Sequence, residues 1–181
     1  ILAHPLDRVL NSSPLEDKKS ITVGKISIKV IHTPGHTAGG VCFTVNNKLV
    51  SGDTLFLAGA GNTRFGGDME QLYKTFSRKL SQMRDSLEVH PGHDYAENNL
   101  GFSRSLEPDN PKIDQKLKEL KLAGRKGRVL KSTIGEEKSY NPFFRFREPE
   151  LLESIKSEFP EVSTENPFEV FRLIRELRNN W

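Results

Sequence analysis

Three short stretches of the chain place metal-ligating side chains in turns. "VIHTPGHTAGGVCF", residues 30 to 43, carries His32 and His36 around a Thr-Pro-Gly turn; "SGDTLF" carries Asp53; "EVHPGHDY" carries His90 and His93. Imidazole nitrogen and carboxylate oxygen are the donors of a catalytic divalent-metal centre, provided they converge at about 2.0–2.2 Å from the ion. A lone histidine in a turn is more often a hydrogen-bonded structural residue. His36, Asp53 and His93 each follow a strand-like run, and residues at one edge of a sheet converge although far apart in sequence, so the three are read together as a site. Strand alternation turns His32 away from the loop ligands, which makes it a packing or hydrogen-bonding residue, and His90 is read as shaping the turn before His93. The single cysteine, Cys42, lies in the apolar run "GVCFTV", so neither a disulfide framework nor a thiolate cluster can form; it is read as a core residue in a reducing compartment.

The elements that must position these residues change character near residue 95. Before it, "KISIKVI" sets Ile26, Ile28 and Val30 on one strand face, "GVCFTV" and "KLVSGD" form a hairpin across "NN", and "SLEVH" gives a last short strand. One helix interrupts this half, with Met69, Leu72, Tyr73, Phe76 and Leu80 at helical spacing after Asp68, a good N-cap. After it the pattern is helical: "AENNLGFSRSL", "PKIDQKLKELKL", "EPELLESIKSEF" with Pro149 in the first turn, and "PFEVFRLIREL" with Pro167 likewise. "YNPFF" reads as a turn that sets Phe143 and Phe144 in the core of the helical half, and "GRKGR", residues 124 to 128, as an exposed loop.

Composition bounds the function classes. The 181 residues are 35% hydrophobic, enough for a buried core, and carry a net charge of +3. No apolar run approaches the roughly 20 residues of a membrane span, and no signal-like segment precedes the first strand. A cytoplasmic protein without a membrane partner is expected. The basic stretch "KIDQKLKELKLAGRKGRVLK" is read as a solvated helix face and loop, with attraction to an anionic ligand as the sharper alternative. No aromatic residues interleave with it, so no nucleic-acid partner is expected.

"HTPGHTAGG", "SGDTLF", "PGHDYAENNLGFSRSLEPDNP" and "YNPFFRFRE" resemble, in order and spacing, the glyoxalase II enzymes, hydroxyacylglutathione hydrolases of the metallo-β-lactamase superfamily. The first two motifs are superfamily-wide; the helical tail with "YNPFFRFRE" is more specific. The resemblance implies an α+β fold: residues 1–94 as the second half of an αββα sandwich, and residues 95–181 as a helical domain that helps to hold glutathione. It also implies two divalent metal ions, zinc first, with iron or manganese as alternatives. His36 then corresponds to a ligand of the first metal, Asp53 to the catalytic carboxylate bridging both, and His93 to a ligand of the second. The family's remaining ligands sit in a THxHxDH motif that residues 1–181 lack, and His4 in "LAHPLD" is no substitute. Because the chain opens on Ile1 rather than Met, the expectation is an upstream β-rich segment of roughly 50–80 residues bearing HxHxDH.

The implied activity is cleavage of the thioester of an S-(2-hydroxyacyl)glutathione, such as S-D-lactoylglutathione, to D-lactate and glutathione by a monomer. Attack needs hydroxide at neutral pH, which metals provide by lowering the pKa of water toward about 7. Glutathione carries two carboxylates, so its site needs cations and backbone donors. Tyr95 resembles the family's glutathione-contacting tyrosine, with packing between the two halves as the alternative. Arg172, Arg175 and Arg178 recur at three-residue intervals along one helix side; Arg175 and Arg178 resemble the family's basic pair, although lysine is usual at the position of Arg178, and a solvated face is the alternative. In "AGAGNTRFGGD" Asn62 stands where the family has a basic residue, and Arg64 is the candidate replacement. Two other readings remain. One is a glutathione persulfide dioxygenase with a single iron, favoured by "GNTRF" and opposed by His93 and the helical tail. The other is a non-catalytic or nucleic-acid-associated module.

Overall fold

The computed structural model describes residues 1–64, 66–126 and 129–181. The strands are β1 (Leu2–Ala3), β2 (Ser13–Pro14), β3 (Ser20–Val23), β4 (Ile26–His32), β5 (Val41–Val45), β6 (Lys48–Gly52), β7 (Leu55–Phe56), β8 (Gly59–Ala60), β9 (Glu88–Pro91) and β10 (Ser132–Thr133). Six of them form one sheet in the order β10-β9-β6-β5-β4-β3. All neighbours in it are antiparallel except β6 and β9, which run parallel. β3 to β6 are a meander: two-residue turns join β3 to β4 and β5 to β6, and the loop of residues 33–40, which carries His36, joins β4 to β5. The turn between β5 and β6 places Asn46 at φ 53°, a left-handed conformation that asparagine tolerates. Strands β7 and β8 pair as a separate hairpin.

Seven helices follow among the described residues: α1 (Met69–Arg78), α2 (Ala96–Leu106), α3 (Pro111–Arg125), α4 (Ile134–Tyr140), α5 (Pro142–Arg145), α6 (Pro149–Glu158) and α7 (Pro167–Asn180). Their starts are written in the sequence. Asn110 and Asn166 cap helices whose first residue is proline, and Thr133 with Glu136 closes a capping box on α4. Asp68 accepts the Gln71 N–H at 2.7 Å, and its own N–H donates to the Gly35 carbonyl at 2.9 Å, so the start of α1 is fixed against the turn that carries His36. Asp68→Ala should cost about 1 kcal/mol of stability, read as a shift in the urea midpoint at constant slope; an unchanged midpoint would show that this cap contributes nothing.

Cross-strand partners share a face, so the register separates the two sides of the sheet. Cys42, Leu49 and Val89 lie on the side covered by helices and pack with Leu72 and Phe76 of α1, Phe143 of α5, and Phe171 and Ile174 of α7. Phe171 is fully buried and meets the rings of Tyr73, Phe143 and Phe146 edge-on at 5.4–5.6 Å, a favoured aromatic geometry. The opposite face is open; it is apolar along β3, β4 and β5 and carries Lys48, Glu88 and His90 at its β6–β9 side. The alternation expected for "KISIKVI" holds, yet of its inward set only Val30 is buried, while Ile26, Val23 and Val50 on the same face are 49%, 60% and 41% exposed. A sheet with helices on one side and a largely open face on the other has the layering of one β–α half of an αββα sandwich.

Several local expectations change. Six helices, not four, follow residue 95, and β10 from this half adds to the sheet beside β9. "YNPFF" is a junction of two helices rather than a plain turn: Asn141 ends α4 and caps α5, accepting the Phe143 N–H at 3.0 Å. Phe143 is buried there, whereas Phe144 is only half-buried. In "GRKGR", Gly124 and Arg125 extend α3 because nothing before Lys126 stops the helix; Gly127 and Arg128 lie outside the described residues.

Candidate active site

Strand direction brings the three loop residues together. β4 and β6 both run antiparallel to β5, and β9 runs parallel to β6, so the C-terminal ends of β4, β6 and β9 open on the same sheet edge. His36, Asp53 and His93 follow these ends. The Nε2 of His36 lies 3.8 Å from Asp53 Oδ2, and the Nε2 of His93 lies 3.5 Å from Asp53 Oδ1. Each imidazole therefore faces a different oxygen of one carboxylate, the arrangement of a bridging ligand. Two donors on one tetrahedral ion at 2.0–2.2 Å stand about 3.3–3.6 Å apart, close to both separations. Among the described residues no three His, Cys, Asp or Glu side chains enclose a single ion by themselves. The three residues fit the shared edge of a two-ion site and leave coordination positions for further groups.

The surrounding backbone sets the orientation. The Nδ1 of His36 lies 2.7 Å from the Asn62 carbonyl; a carbonyl only accepts, so Nδ1 carries the hydrogen and Nε2 the lone pair that a metal needs. Two glycines allow the loops to close on Asp53. A Cβ on Gly61 would stand 2.1 Å from the Asp53 carbonyl oxygen and 3.1 Å from the His36 ring, and one on Gly92 would stand 2.6 Å from Asp53 Oδ1. Neither position admits a side chain without displacing Asp53.

Beside this edge, a cavity of about 230 Å³ is lined by Phe56, Asn62, Arg64, Tyr95, Asn99, Arg175 and Arg178, among others. Tyr95 joins it to His93: its ring stacks on that imidazole at 5.2 Å and meets Phe56 edge-on at 5.1 Å, and the side chain stays half-exposed. Among the described residues, three guanidinium groups line the cavity and no acidic side chain does. Arg175 is 4% exposed; it donates to the Ala60 and Gly61 carbonyls, lies over the Phe143 ring, and leaves its buried Nε without a partner among the described residues. Burial, then the charges of Arg178 and Arg64, push it down to about 9, so it is still a cation at neutral pH. Burial also lowers Arg178, whose guanidinium donates to Asn99 Oδ1 at 2.9 and 3.1 Å. Arg64 donates to the Asn179 carbonyl.

Other candidates have local tasks. His32 lies 3.0 Å by Nε2 from the Ala38 carbonyl and stacks on His4 at 4.0 Å, as its strand position requires. His90 does not shape a turn: it stands within β9, with Nε2 2.7 Å from Glu88 Oε1, in a cluster with Lys48. Hydrogen bonds from Lys48 and Lys131 hold the Glu88 carboxyl down at about 2. Arg172 is taken up by Glu169 and Glu176 on its own helix. Asn99 was absent from the sequence expectations, yet it both lines the cavity and holds Arg178. Its signal was legible: with Ala96, Leu100 and Ser103 it falls on the buried face of α2, where an amide without a task is costly.

Comparison with known proteins gives two family matches. Residues 4–95 match the metallo-beta-lactamase superfamily, and residues 94–181 match "hydroxyacylglutathione hydrolase C-terminus". The chain is 41% identical over 167 residues to a hydroxyacylglutathione hydrolase of Nitrosococcus oceani, covering 90% of this chain and 63% of that protein. It is 40% identical over 166 residues to one of a Polaromonas species, covering 89% and 63%. The crystal structure of ETHE1 from Myxococcus xanthus superposes with a TM-score of 0.57 at 23% identity, over 97% of this chain and 57% of that one, a likeness of fold. The chain thus spans less than two-thirds of the length of the two hydrolases it matches.

Proposed function

Because the chain belongs to the metallo-β-lactamase superfamily and carries the C-terminal region of hydroxyacylglutathione hydrolases, we propose that the whole protein hydrolyses the thioester of S-(2-hydroxyacyl)glutathiones such as S-D-lactoylglutathione, giving D-lactate and glutathione. The observation that carries this reading is the pairing of the Asp53 edge with a cavity that, among the described residues, is lined by three arginines and no acid, joined to it by Tyr95. In this reading residues 1–94 contribute the catalytic edge and residues 95–181 most of the glutathione site. His36, Asp53 and His93 hold part of a site for two divalent ions, zinc first. Bound there, the ions supply Lewis acidity and bring the pKa of water toward about 7.

The chain's own residues do the rest. Asp53 keeps the two imidazoles on one edge, and the Asn62 carbonyl fixes the His36 tautomer. Arg178 and Arg64 attract a glutathione carboxylate into a cavity whose like charges an anion relieves. Tyr95 lies between carboxylate and thioester. The leaving group is a thiolate of ordinary pKa about 8.5, which departs without a general acid. The protein acts as a cytoplasmic monomer on this small substrate, with no nucleic-acid or membrane partner; among the described residues no helix is long and apolar enough to cross a membrane.

The test is steady-state hydrolysis by the whole protein of S-D-lactoylglutathione beside a lactoyl thioester lacking the glutathione carboxylates. Loss of charge-assisted contacts worth about 1.5–3 kcal/mol predicts roughly a 10- to 150-fold lower kcat/KM for the truncated substrate. Equal rates on both would remove glutathione recognition. Oxygen uptake with glutathione persulfide, in place of thioester cleavage, would hand the site to a dioxygenase.

A further inference from the structure

Residues 57 to 61, the turn and exit of the β7–β8 hairpin, are held almost atom by atom from the helical half. The Leu57 carbonyl accepts from Asn99 Nδ2 at 2.9 Å, the Ala58 N–H donates to Glu137 Oε2 at 2.9 Å, and the Gly59 carbonyl accepts from Asn141 Nδ2 at 3.2 Å. The Ala60 and Gly61 carbonyls accept from Arg175. Ala58 sits at φ 54°, a left-handed conformation disfavoured for a residue with a Cβ, and such strain persists only where the surroundings over-determine it.

Glu137 is the centre of this arrangement. It is fully buried, and burial pushes its carboxyl up. Oε2 also accepts from Asn141 Nδ2 at 2.8 Å, and Oε1 accepts from the Tyr140 hydroxyl at 2.8 Å. A leucine would fill the same space without the cost of a dry carboxyl, so packing alone does not account for an acid here. What the acid holds is a segment that leads directly to the ligands: Gly61 packs on the His36 ring and the Asp53 carbonyl, and Asn62 takes the His36 Nδ1 hydrogen.

We propose that Glu137 and Asn141 are positioning residues for the metal edge: by fixing residues 57 to 61 they set the Asn62 carbonyl and the Gly61 contact, and so aim His36 and Asp53. The inference rests on the reading of His36, Asp53 and His93 as ligands.

The test is zinc affinity of the whole protein by competition with a chromophoric chelator, with the absorption spectrum of bound cobalt(II) as a report of ligand geometry. Glu137→Leu removes the acceptor for Ala58. Asn141→Ser keeps a cap for the Phe143 N–H but is too short to reach Gly59. Both should weaken zinc roughly 10- to 100-fold, as loss of outer-shell support does, and alter the cobalt spectrum. Glu137→Gln keeps an oxygen for Ala58 and should restore wild-type affinity. If Glu137→Leu does not fold, Asn141→Ser decides. Folded variants with wild-type zinc affinity and an unchanged cobalt spectrum would overturn the clamp alone. Wild-type protein that binds neither ion would overturn the ligand reading and the clamp together.

Discussion

Asp53→Ala is expected to lower kcat for S-D-lactoylglutathione by more than about 10³-fold while leaving the fold intact. The magnitude follows from the several kcal/mol that a Lewis acid contributes to such a transition state, at 1.36 kcal/mol per tenfold. The selectivity follows from the structure. Asp53 Oδ1 and Oδ2 each face a different imidazole, so removing one side chain takes the shared donor from both sides of the site. The carboxylate is more than a third exposed, so its loss should move the melting temperature little. Metal content by elemental analysis should fall with kcat. Retained activity in Asp53→Ala would refute the bridging role; a variant that unfolds would make Asp53 a structural residue instead.

The second large effect separates two arginines that sequence alone treats as a pair. Arg175→Ala should cost about 2–4 kcal/mol of stability, because it strips a charged donor from two backbone carbonyls in a buried setting. It should also lower kcat, since Ala60 and Gly61 lead to the metal edge. Arg178→Ala should behave differently. Its guanidinium is half-buried on Asn99, so the stability loss should stay near 1 kcal/mol. KM for the glutathione thioester should rise roughly 10-fold or more with kcat near wild type, the signature of binding shared by ground and transition states. Urea unfolding and steady-state kinetics on both variants give the comparison. Identical behaviour of the two, in either assay, would mean that burial does not divide their roles.

Much of this was written locally. Asp68, Asn110, Asn166 and the Thr133–Glu136 box mark helix starts because a capping side chain bonds to N–H groups two or three residues away. The β5–β6 hairpin follows from "NN" between two apolar runs, and the burial of Cys42 from the apolar stretch around it. The convergence of His36, Asp53 and His93 on one sheet edge could also be expected from their strand-end positions, since these depend on neighbours in the chain.

What the sequence could not settle was long-range. The alternation of β4 is a local property, but whether Ile26 and Val50 are covered depends on what stacks against that face, so pattern predicted the side and not the burial. Arg172, Arg175 and Arg178 look equivalent at three-residue spacing; only the packing of α7 against the β7–β8 hairpin buries Arg175 and leaves Arg172 to its helical neighbours. Glu137 and Ala58 are far apart in the chain, and nothing near either residue announces the bond between them. The sequence determined the elements and the donor chemistry, because those are set within a few residues; the tertiary structure decided which identical side chains face solvent, cavity or core, because that requires the whole chain to be folded.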